Sequence, residues 1–342
     1  MKRVISAALL VMMMSAGHAA AATKTTVTKA PTVKAAPPAP PPVPMTLDQV
    51  RAAAAAGDPG AQAELGRVYY NGLGAEIDHA TAFDWYLKAA TGTSLKAQLQ
   101  VADMYRTGDG VAQDMDQARQ WYEKAAAQGS ATAQYALGKI YDGGQGVPVD
   151  EKAALLWFAR AAARGLADAQ YNLAVMYDQG QGTRVNYVQA AAWYEKAADQ
   201  GIADAQYNLG MMFASGQGVI HDDKASVYWL YAAAKQGQPS AQYDLGLAYL
   251  NGKGVPRDEA KAYEWLVLAA KKNDPDAQFY VAQLCNDGRG TTRDQTQAYA
   301  WATLASRQGQ TAAADYVAVA DQTLTPEQKA QAVSLTASLM RN

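Results

Sequence analysis

Residues 169–204 read AQYNLAVMYDQGQGTRVNYVQAAAWYEKAADQGIAD, and most of the chain repeats this stretch. All seven tryptophans of the protein lie in one register, with 36 residues between successive members. They are Trp85, Trp121, Trp157, Trp193, Trp229, Trp265 and Trp301. A rare residue does not fall on a single period by chance. A period of this size is typical of a solenoid, in which each unit buries its apolar face against its neighbours.

Several other positions keep the same register. Counted from the Ala of an Ala-Gln pair, the units begin at residues 61, 97, 133, 169, 205, 241 and 277. The second position is always Gln, the fifth is Leu or Val, and the sixth is Gly or Ala. A Gly-x-Gly closes the first half of every unit. The sequence therefore predicts seven tandem units of 36 residues.

Each unit is predicted to form two helices. In the first half, apolar residues recur at positions 1, 5, 8 and 9, which share one helical face, and the first Gly of Gly-x-Gly can end this helix A in the left-handed conformation. Helix B begins at an Asp or Asn, a favourable N-cap. In three units a Gln three residues later predicts a capping box. These are Gln117, Gln189 and Gln297.

The seven tryptophans that recur every 36 residues are called the tryptophan ladder. The buried face of helix B is predicted to carry an Ala, this ladder tryptophan, and an Ala four residues after it. We therefore expect the seven tryptophans to be structural residues. The predicted fold class is all-α, an α/α superhelical solenoid of seven helix-turn-helix repeats.

The solenoid is predicted to span 45–342, with capping helices at both ends. Thr46 and Gln49 predict a capping box at the start of a helix through 47–56. The C-terminal cap, 313–342, is predicted to begin with a further helix A and to end with a helix that starts at Thr325. Atypical terminal helices keep an open stack soluble.

The first 44 residues have the composition of a targeting segment and a spacer. Residues 1–22 combine a basic start, an apolar run and small residues, which is typical of a signal peptide cleaved between about residues 19 and 22. Residues 23–44 form a Pro-rich linker, and proline favours an extended spacer. The sequence therefore predicts a periplasmic or secreted protein, and an uncleaved anchor is the alternative.

The charge of the repeat domain bears on its partners. Five of the 30 basic residues and none of the 32 acidic residues lie in the first 44 positions. The domain 45–342 therefore has 25 basic and 32 acidic residues, a net charge of −7. This balance argues against nucleic acid or an anionic membrane as the main target. No integral membrane span is expected after signal cleavage.

The sequence contains no recognisable catalytic motif. The histidines His18, His79 and His221 lie far apart, and no His/Cys/Asp/Glu group has metal-ligand spacing. The repeated Gly-x-Gly is interpreted as a turn rather than a phosphate cradle. The only cysteine, Cys285, occupies the ninth position, where six units have Tyr or Phe, so a buried thiol is favoured over a reactive one. We predict no catalytic residue, no metal and no cofactor.

Binding is expected to use residues that the stack does not need. On helix A, positions 3, 4, 7 and 11 project away from the face of positions 1, 5, 8 and 9. In units four to six, positions 4 and 7 combine amides, one carboxylate and an apolar strip, which suits a helix or an extended peptide. The candidate residues are Asn172, Val175, Asn208, Met211, Asp244 and Leu247. The alternative is that these positions serve the repeat itself.

The motif A-Q-Y-N-L-G…Y…G-x-G…D…A-x-x-W-Y-x-K-A-A-x-Q-G resembles the Sel-one-like repeat (SLR) family, relatives of tetratricopeptide repeats. The resemblance covers about 61–312 in seven units. It implies a superhelix that binds other proteins, as a scaffold or adaptor. Some relatives are cysteine-rich and linked to β-lactam chemistry. This chain lacks their cysteine pairs, so that activity is not expected here.

These observations predict a non-catalytic, exported scaffold that mediates protein–protein interactions in the bacterial cell envelope. A peptidoglycan- or exopolysaccharide-binding protein is the first alternative, and aromatic residues exposed across the groove would favour it. A secreted host-interaction factor is the second. An enzyme would need an acid/base pair in one cleft, which the sequence does not indicate.

Overall fold

A computed structural model describes residues 45–339 of the chain. This range contains seventeen α-helices and no strand. In chain order the helices are α1 (Leu47–Ala55), α2 (Pro59–Asn71), α3 (His79–Thr91), α4 (Leu95–Thr107), α5 (Met115–Ala127), α6 (Ala131–Gly143), α7 (Glu151–Ala163), α8 (Ala167–Gln179), α9 (Tyr187–Asp199), α10 (Ala203–Ser215), α11 (Asp223–Lys235), α12 (Pro239–Asn251), α13 (Glu259–Lys271), α14 (Pro275–Asp287), α15 (Gln295–Arg307), α16 (Thr311–Thr323) and α17 (Pro326–Leu339).

Helices α2 to α15 alternate as helix A and helix B of the seven units. Each packs mainly against the helix before it and the helix after it, so the contacts remain local along the chain. This confirms the predicted all-α solenoid. The predicted signal peptide and linker, residues 1–44, lie outside the described residues. Between residues 45 and 339, no helix has the length and hydropathy needed to cross a membrane.

The B helices begin at the predicted Asp or Asn, but the predicted capping boxes are only half formed. The side chain of Asp114 accepts a hydrogen bond from the backbone N–H of Gln117 at 2.9 Å. The backbone N–H of Asp114 itself donates to the carbonyl of Tyr105 in the preceding helix A. Because that N–H is already satisfied, Gln117 has no capping partner to reach. The same backbone bond is made by Asn186 and by Asp294.

The two glycines of each Gly-x-Gly have different roles. The first ends helix A in the left-handed conformation, as predicted, with φ between 62° and 76°. The second, such as Gly218, also has positive φ, and a Cβ there would overlap the backbone carbonyl of Tyr187 at the start of the preceding helix B. The second glycine therefore lets two successive units approach backbone to backbone.

The tryptophan ladder is not the most buried part of helix B. Only Trp121 and Trp301 are buried, and the other five tryptophans are partly exposed. The residue after the tryptophan is buried in all seven units; this set is Tyr86, Tyr122, Phe158, Tyr194, Leu230, Leu266 and Ala302. In units one to four a Lys or Arg side chain instead covers the tryptophan ring, as Lys196 covers Trp193 at 3.6 Å.

The Gln at position 2 forms a buried amide relay between units. Its Nε2 donates to a carbonyl near the end of the preceding helix B, as Gln170 does to Ala162 at 3.3 Å. Its Oε1 accepts from a Gln at the end of its own helix B, as Gln170 does from Gln200 at 2.7 Å. In units one, three and six that second Gln is replaced by Gly92, Arg164 and Lys272. The Oε1 atoms left without a partner belong to Gln134 and Gln242.

Both predicted caps are present. The capping boxes of Thr46 with Gln49 and of Thr325 with Gln328 are complete, since each pair exchanges both hydrogen bonds. Helix α16 continues the register of a helix A, whereas α17 packs against α15. Ala300 on α15 is fully buried, although the equivalent residue is exposed in all six other units. Helix α17 therefore covers the outer face of the last helix B.

Candidate interaction groove

A row of recesses runs between successive A helices. Each recess lies between helix A of one unit and helix A of the next, and in three of the five a helix B side chain also lines it, namely Tyr122, Tyr194 or Leu230. Recesses of this kind occur at the junctions of units one and two, two and three, four and five, five and six, and six and seven. We call this row the A-helix groove. Its repetition follows directly from the repetition of the units.

The groove brings together some of the predicted binding residues but not all of them. Met211, Asp244 and Leu247 line one recess, between units five and six. Asn208 lines the neighbouring recess between units four and five, and Met211 borders both. Asn172 instead donates to the hydroxyl of Tyr135 and to the carbonyl of Asp168.

Val175 packs against the buried core of units four and five. Neither Asn172 nor Val175 lines one of the five recesses, and both contact the repeat itself, which favours the alternative in which these residues serve the repeat.

The recess between units five and six has a volume of about 250 Å³ and a mainly apolar lining. Three small or aliphatic residues open it. Leu230 stands at its base, where units one, two and four have a tyrosine and unit three has a phenylalanine. Ala248 occupies position 8, where the other units have Val, Met, Ile or Leu, and Ala214 occupies position 10. The space that large side chains fill in other units is therefore empty here.

One carboxylate in this recess has no basic partner within residues 45–339. Asp244 accepts a hydrogen bond from the hydroxyl of Tyr207 at 3.1 Å, and it forms no ion pair there. Burial raises the pKa of Asp244 above its ordinary value. A second carboxylate, Asp223, lies 3.4 Å from the Nζ of Lys253. The recess therefore combines an apolar base with one unpaired acid.

The groove is electrostatically different in the first two units. There, acidic residues of helix A have their own arginine one turn away. Arg67 pairs with Glu64 at 2.5 Å, and Arg106 pairs with Asp103 at 3.0 Å. The hydroxyl of Tyr122 also donates to Asp103. These side chains satisfy one another, so the first part of the groove offers less unpaired charge to a partner.

The structure also brings together an imidazole and a carboxylate that the sequence separates by 30 residues. The Nδ1 of His79 lies 2.5 Å from Asp109, which also accepts from the hydroxyl of Tyr70 at 2.8 Å. Among residues 45–339, no hydroxyl or thiol is hydrogen-bonded to His79. Asp109 is the middle residue of a Gly-x-Gly, and His79 is the first residue of the preceding helix B.

The same two positions form ion pairs elsewhere. Lys253 pairs with Asp223, and Arg289 pairs with Glu259 at 2.9 Å. The contact of His79 with Asp109 is therefore one version of a recurring junction contact, and its geometry favours a structural role. Within the described residues, no group of three potential metal ligands is present.

Aromatic side chains are exposed outside the groove. Tyr228 and Tyr231 on α11 are 66% and 43% exposed, and Tyr231 packs edge-on against Trp265 at 5.8 Å. Aromatic residues that line the groove are only partly exposed, as are Tyr135 in one recess and Phe279 and Tyr280 in another. The more exposed aromatic residues are therefore on helix B, whereas those in the groove are only partly exposed.

The sequence pattern of the Sel1 repeat matches seven consecutive segments of the chain, and together they cover residues 59–310. The chain belongs to the Sel1 repeat family. The segments are 59–94, 95–130, 131–166, 167–202, 203–238, 239–274 and 275–310. Proteins built from Sel1 repeats generally mediate protein–protein interactions, and their solenoid is typically a non-catalytic scaffold.

Solved structures of Sel1 repeat proteins are similar to this chain. A protective antigen of uropathogenic Escherichia coli with an SLR fold is 36% identical, with a TM-score of 0.73 over 86% of this chain. The chain spans 63% of the length of that antigen. A Sel1 repeat protein from Oxalobacter formigenes is 37% identical, with a TM-score of 0.65 over 79% of this chain and 78% of its own. No curated protein matches the sequence.

Two contributions to the groove were missed by the sequence reasoning. Position 10 of helix A lines the recesses in several units, for example as Arg106, Asp178 and Ala214. The residue after the ladder tryptophan forms the base, as Leu230 does. The sequence did contain a signal for both positions. Their residue type changes from unit to unit, whereas the neighbouring positions keep the repeat pattern.

Proposed function

We propose that this Sel1 repeat protein is an exported, non-catalytic scaffold that holds a segment of a partner protein of the cell envelope in the A-helix groove of units five and six. The observation that carries the proposal is the apolar recess that unites Met211, Asp244 and Leu247. A preformed apolar recess with a few polar groups is the usual form of a peptide anchor. Presentation of this surface needs no cofactor.

Export rests on the sequence of residues 1–22, which has the composition of a signal peptide. The similar Escherichia coli protein is described as a protective antigen. Because the host immune system must have access to an antigen, that similarity supports a periplasmic or secreted location. Cell fractionation checks this directly, and recovery of the unprocessed chain only from the cytoplasm would contradict it.

The groove is tested by crosslinked capture of partners from intact cells. A variant with Met211→Glu and Leu247→Glu places two charges in the apolar recess and should lose the partners that the parent protein retains. Circular dichroism must first show unchanged helix content. A matched control carries Val149→Glu and Ile220→Glu at exposed apolar residues outside the recess, and it should retain the partners.

If the groove variant retains the same partners, the proposal that the groove binds them is wrong.

A glycan-binding role is the second candidate, and the exposed Tyr228 and Tyr231 favour it. If no protein is enriched but purified cell-wall or capsular glycan binds, and Tyr231→Ala weakens that binding, the glycan role replaces the scaffold.

A further inference from the structure

The recess between units five and six differs from its neighbours in both shape and charge. Its volume of about 250 Å³ is below the range of about 300–1,000 Å³ for pockets that hold drug-sized ligands. It therefore suits a single long side chain rather than a whole small molecule. The lining gives apolar contact through Met211, Leu230 and Leu247, with a carboxylate at Asp244.

Asp244 is the carboxylate of this recess that has no cationic partner within residues 45–339. Lys253, the only basic residue that lines this recess, lies within ion-pair distance of Asp223. Tyr207 gives Asp244 one hydrogen bond, but a carboxylate can accept several. A partly buried carboxylate without a cation is costly, and a cation that enters the recess would remove this cost.

The neighbouring recess also contains an acid without a cationic partner, although at a different position of helix A. Between units four and five, Asp178 faces the same groove beside Asn208 and Met211, and it has no ion-pair partner among residues 45–339. Burial raises the pKa of Asp178 as well. The first two units provide the contrast, because there Arg67 and Arg106 neutralise the acids of helix A. Unpaired acids in the recesses thus begin where the apolar strip begins.

We infer that the recess between units five and six takes the side chain of a lysine or arginine from an otherwise apolar segment of the partner, with its methylene groups against Leu230 and Leu247 and its cationic end at Asp244. Lys and Arg combine an apolar stem with a charged head, which matches a recess with an apolar base and an acidic wall. The inference rests on the proposed function and specifies the chemistry of the partner.

The experiment measures retention of synthetic peptides by the immobilised full-length protein. The probes are pools of twelve-residue peptides in which the central residue is Lys, Arg, norleucine or Glu, and the other positions are randomised among Ala, Leu, Val, Ser and Asn. Norleucine is the matched probe, because it keeps an apolar stem and lacks the charge. We expect Lys and Arg pools to be retained at least about tenfold better than norleucine, and Glu pools least, since a hydrogen bond to a charged group contributes that much.

Three variants locate the effect. Asp244→Asn should abolish the preference for Lys and Arg over norleucine. Ala248→Met fills the recess with the residue that units two, four and five have at this position. This variant should therefore fold, but it should retain none of the peptide pools. Asp199→Asn removes one exposed carboxylate elsewhere and should change nothing. Circular dichroism checks the fold of each variant.

The outcomes separate this inference from the proposed function. Equal retention of norleucine and Lys pools, with loss on Ala248→Met, would overturn the cationic side chain and leave the groove intact. An unchanged preference for Lys in Asp244→Asn would also overturn the inference. If no pool is retained, or if Ala248→Met retains all of them, both the inference and the groove fail.

Discussion

At the scale of single residues, the second glycine of each Gly-x-Gly sets the approach of two units. Gly218 and Gly201 both have positive φ, at 70° and 90°. A Cβ at Gly201 would meet nothing within 4 Å, whereas a Cβ at Gly218 would overlap the carbonyl of Tyr187. The two residues therefore share the conformational demand and differ only in the contact with the preceding unit.

We expect Gly201→Ala to lower the free energy of unfolding by about 1–2 kcal/mol, which is the cost of left-handed backbone for a residue with a Cβ. Gly218→Ala should lose roughly 1–3 kcal/mol more, because the backbone must also shift. Urea unfolding monitored by circular dichroism measures both. Equal losses for the two variants would show that the inter-unit contact is unimportant.

Cys285 is a buried thiol, as the sequence predicted from its place in the repeat. Its Sγ donates to Gln297 at 3.3 Å. Burial raises the pKa of Cys285 to about 11. Because the raised pKa favours the neutral thiol, its contribution to stability is complete below the ordinary thiol pKa and is lost as the pH rises towards 11.

The folded protein should therefore fail to react with Ellman's reagent at pH 8, since the thiolate is the nucleophile. In urea, one thiol per chain should react. The control is Cys285→Ala, which should give no signal in either condition. Reaction at the same rate with and without urea would mean that the thiol is accessible in the fold.

The sequence alone did not identify which residue of helix B is the most buried. The interval of 36 residues located every unit, but it drew attention to Trp85 and Trp157 rather than to the buried Tyr86 and Phe158 beside them. Adjacent residues on a helix point about 100° apart. Which of the two faces the core depends on how helix B rotates against helix A, and a single sequence does not define that rotation.

At the scale of helices, the amide relay links the start of helix A to the end of helix B. Four units complete it with a Gln at the end of helix B. In units three and six, Arg164 and Lys272 stand in that place, and the buried Oε1 atoms of Gln134 and Gln242 have no partner. The invariant Gln was visible in the sequence, but the relay was not, because its two members are 30 residues apart.

We expect Arg164→Gln and Lys272→Gln each to raise the free energy of unfolding by about 1 kcal/mol, since each gives a buried acceptor its hydrogen bond. The reverse change, Gln200→Arg, should leave the Oε1 of Gln170 unsatisfied and lower stability by roughly 1–3 kcal/mol. Thermal unfolding of the three variants checks the signs. A destabilising Arg164→Gln would contradict the relay.

At the scale of the whole molecule, the solenoid ends in a helix that does not continue the stack. Helix α17 covers the face of α15 that carries Thr296 and Ala300, both of which are buried. In a solenoid, the loss of one interface acts first on the units nearest to it. The terminal cap should therefore protect unit seven more than it protects unit one.

Removal of residues 326–342 should increase amide hydrogen exchange in α15 and α16, with little change in α2 and α3 at the other end. It should also increase the quenching of Trp301 by acrylamide, because Trp301 is 1% exposed in the complete domain. Unchanged exchange in α15 would show that α17 is not a stabilising cap. Equal increases in α3 and α15 would show that the stack unfolds as one unit.

Most of the fold could be predicted because the same 36-residue pattern occurs seven times in the sequence. The groove was predictable only in part. Met211, Asp244 and Leu247 do line one recess, but its size depends on Leu230, which belongs to another helix. Leu230 enlarges the recess because it is smaller than the Tyr or Phe that units one to four have at this position. No sequence motif predicts such a cavity.

The junction contacts have a consequence for how such a gene can change. Each junction has a close approach at the second glycine of Gly-x-Gly and a hydrogen bond from the Gln at position 2 to a carbonyl of the preceding helix B, and both recur from one unit to the next. Any unit can therefore follow any other. Unequal crossing-over between repeated coding segments would add or remove 36 residues as one cassette. The ligand preference of the groove could thus be rearranged in a single genetic event, without new substitutions in the neighbouring units.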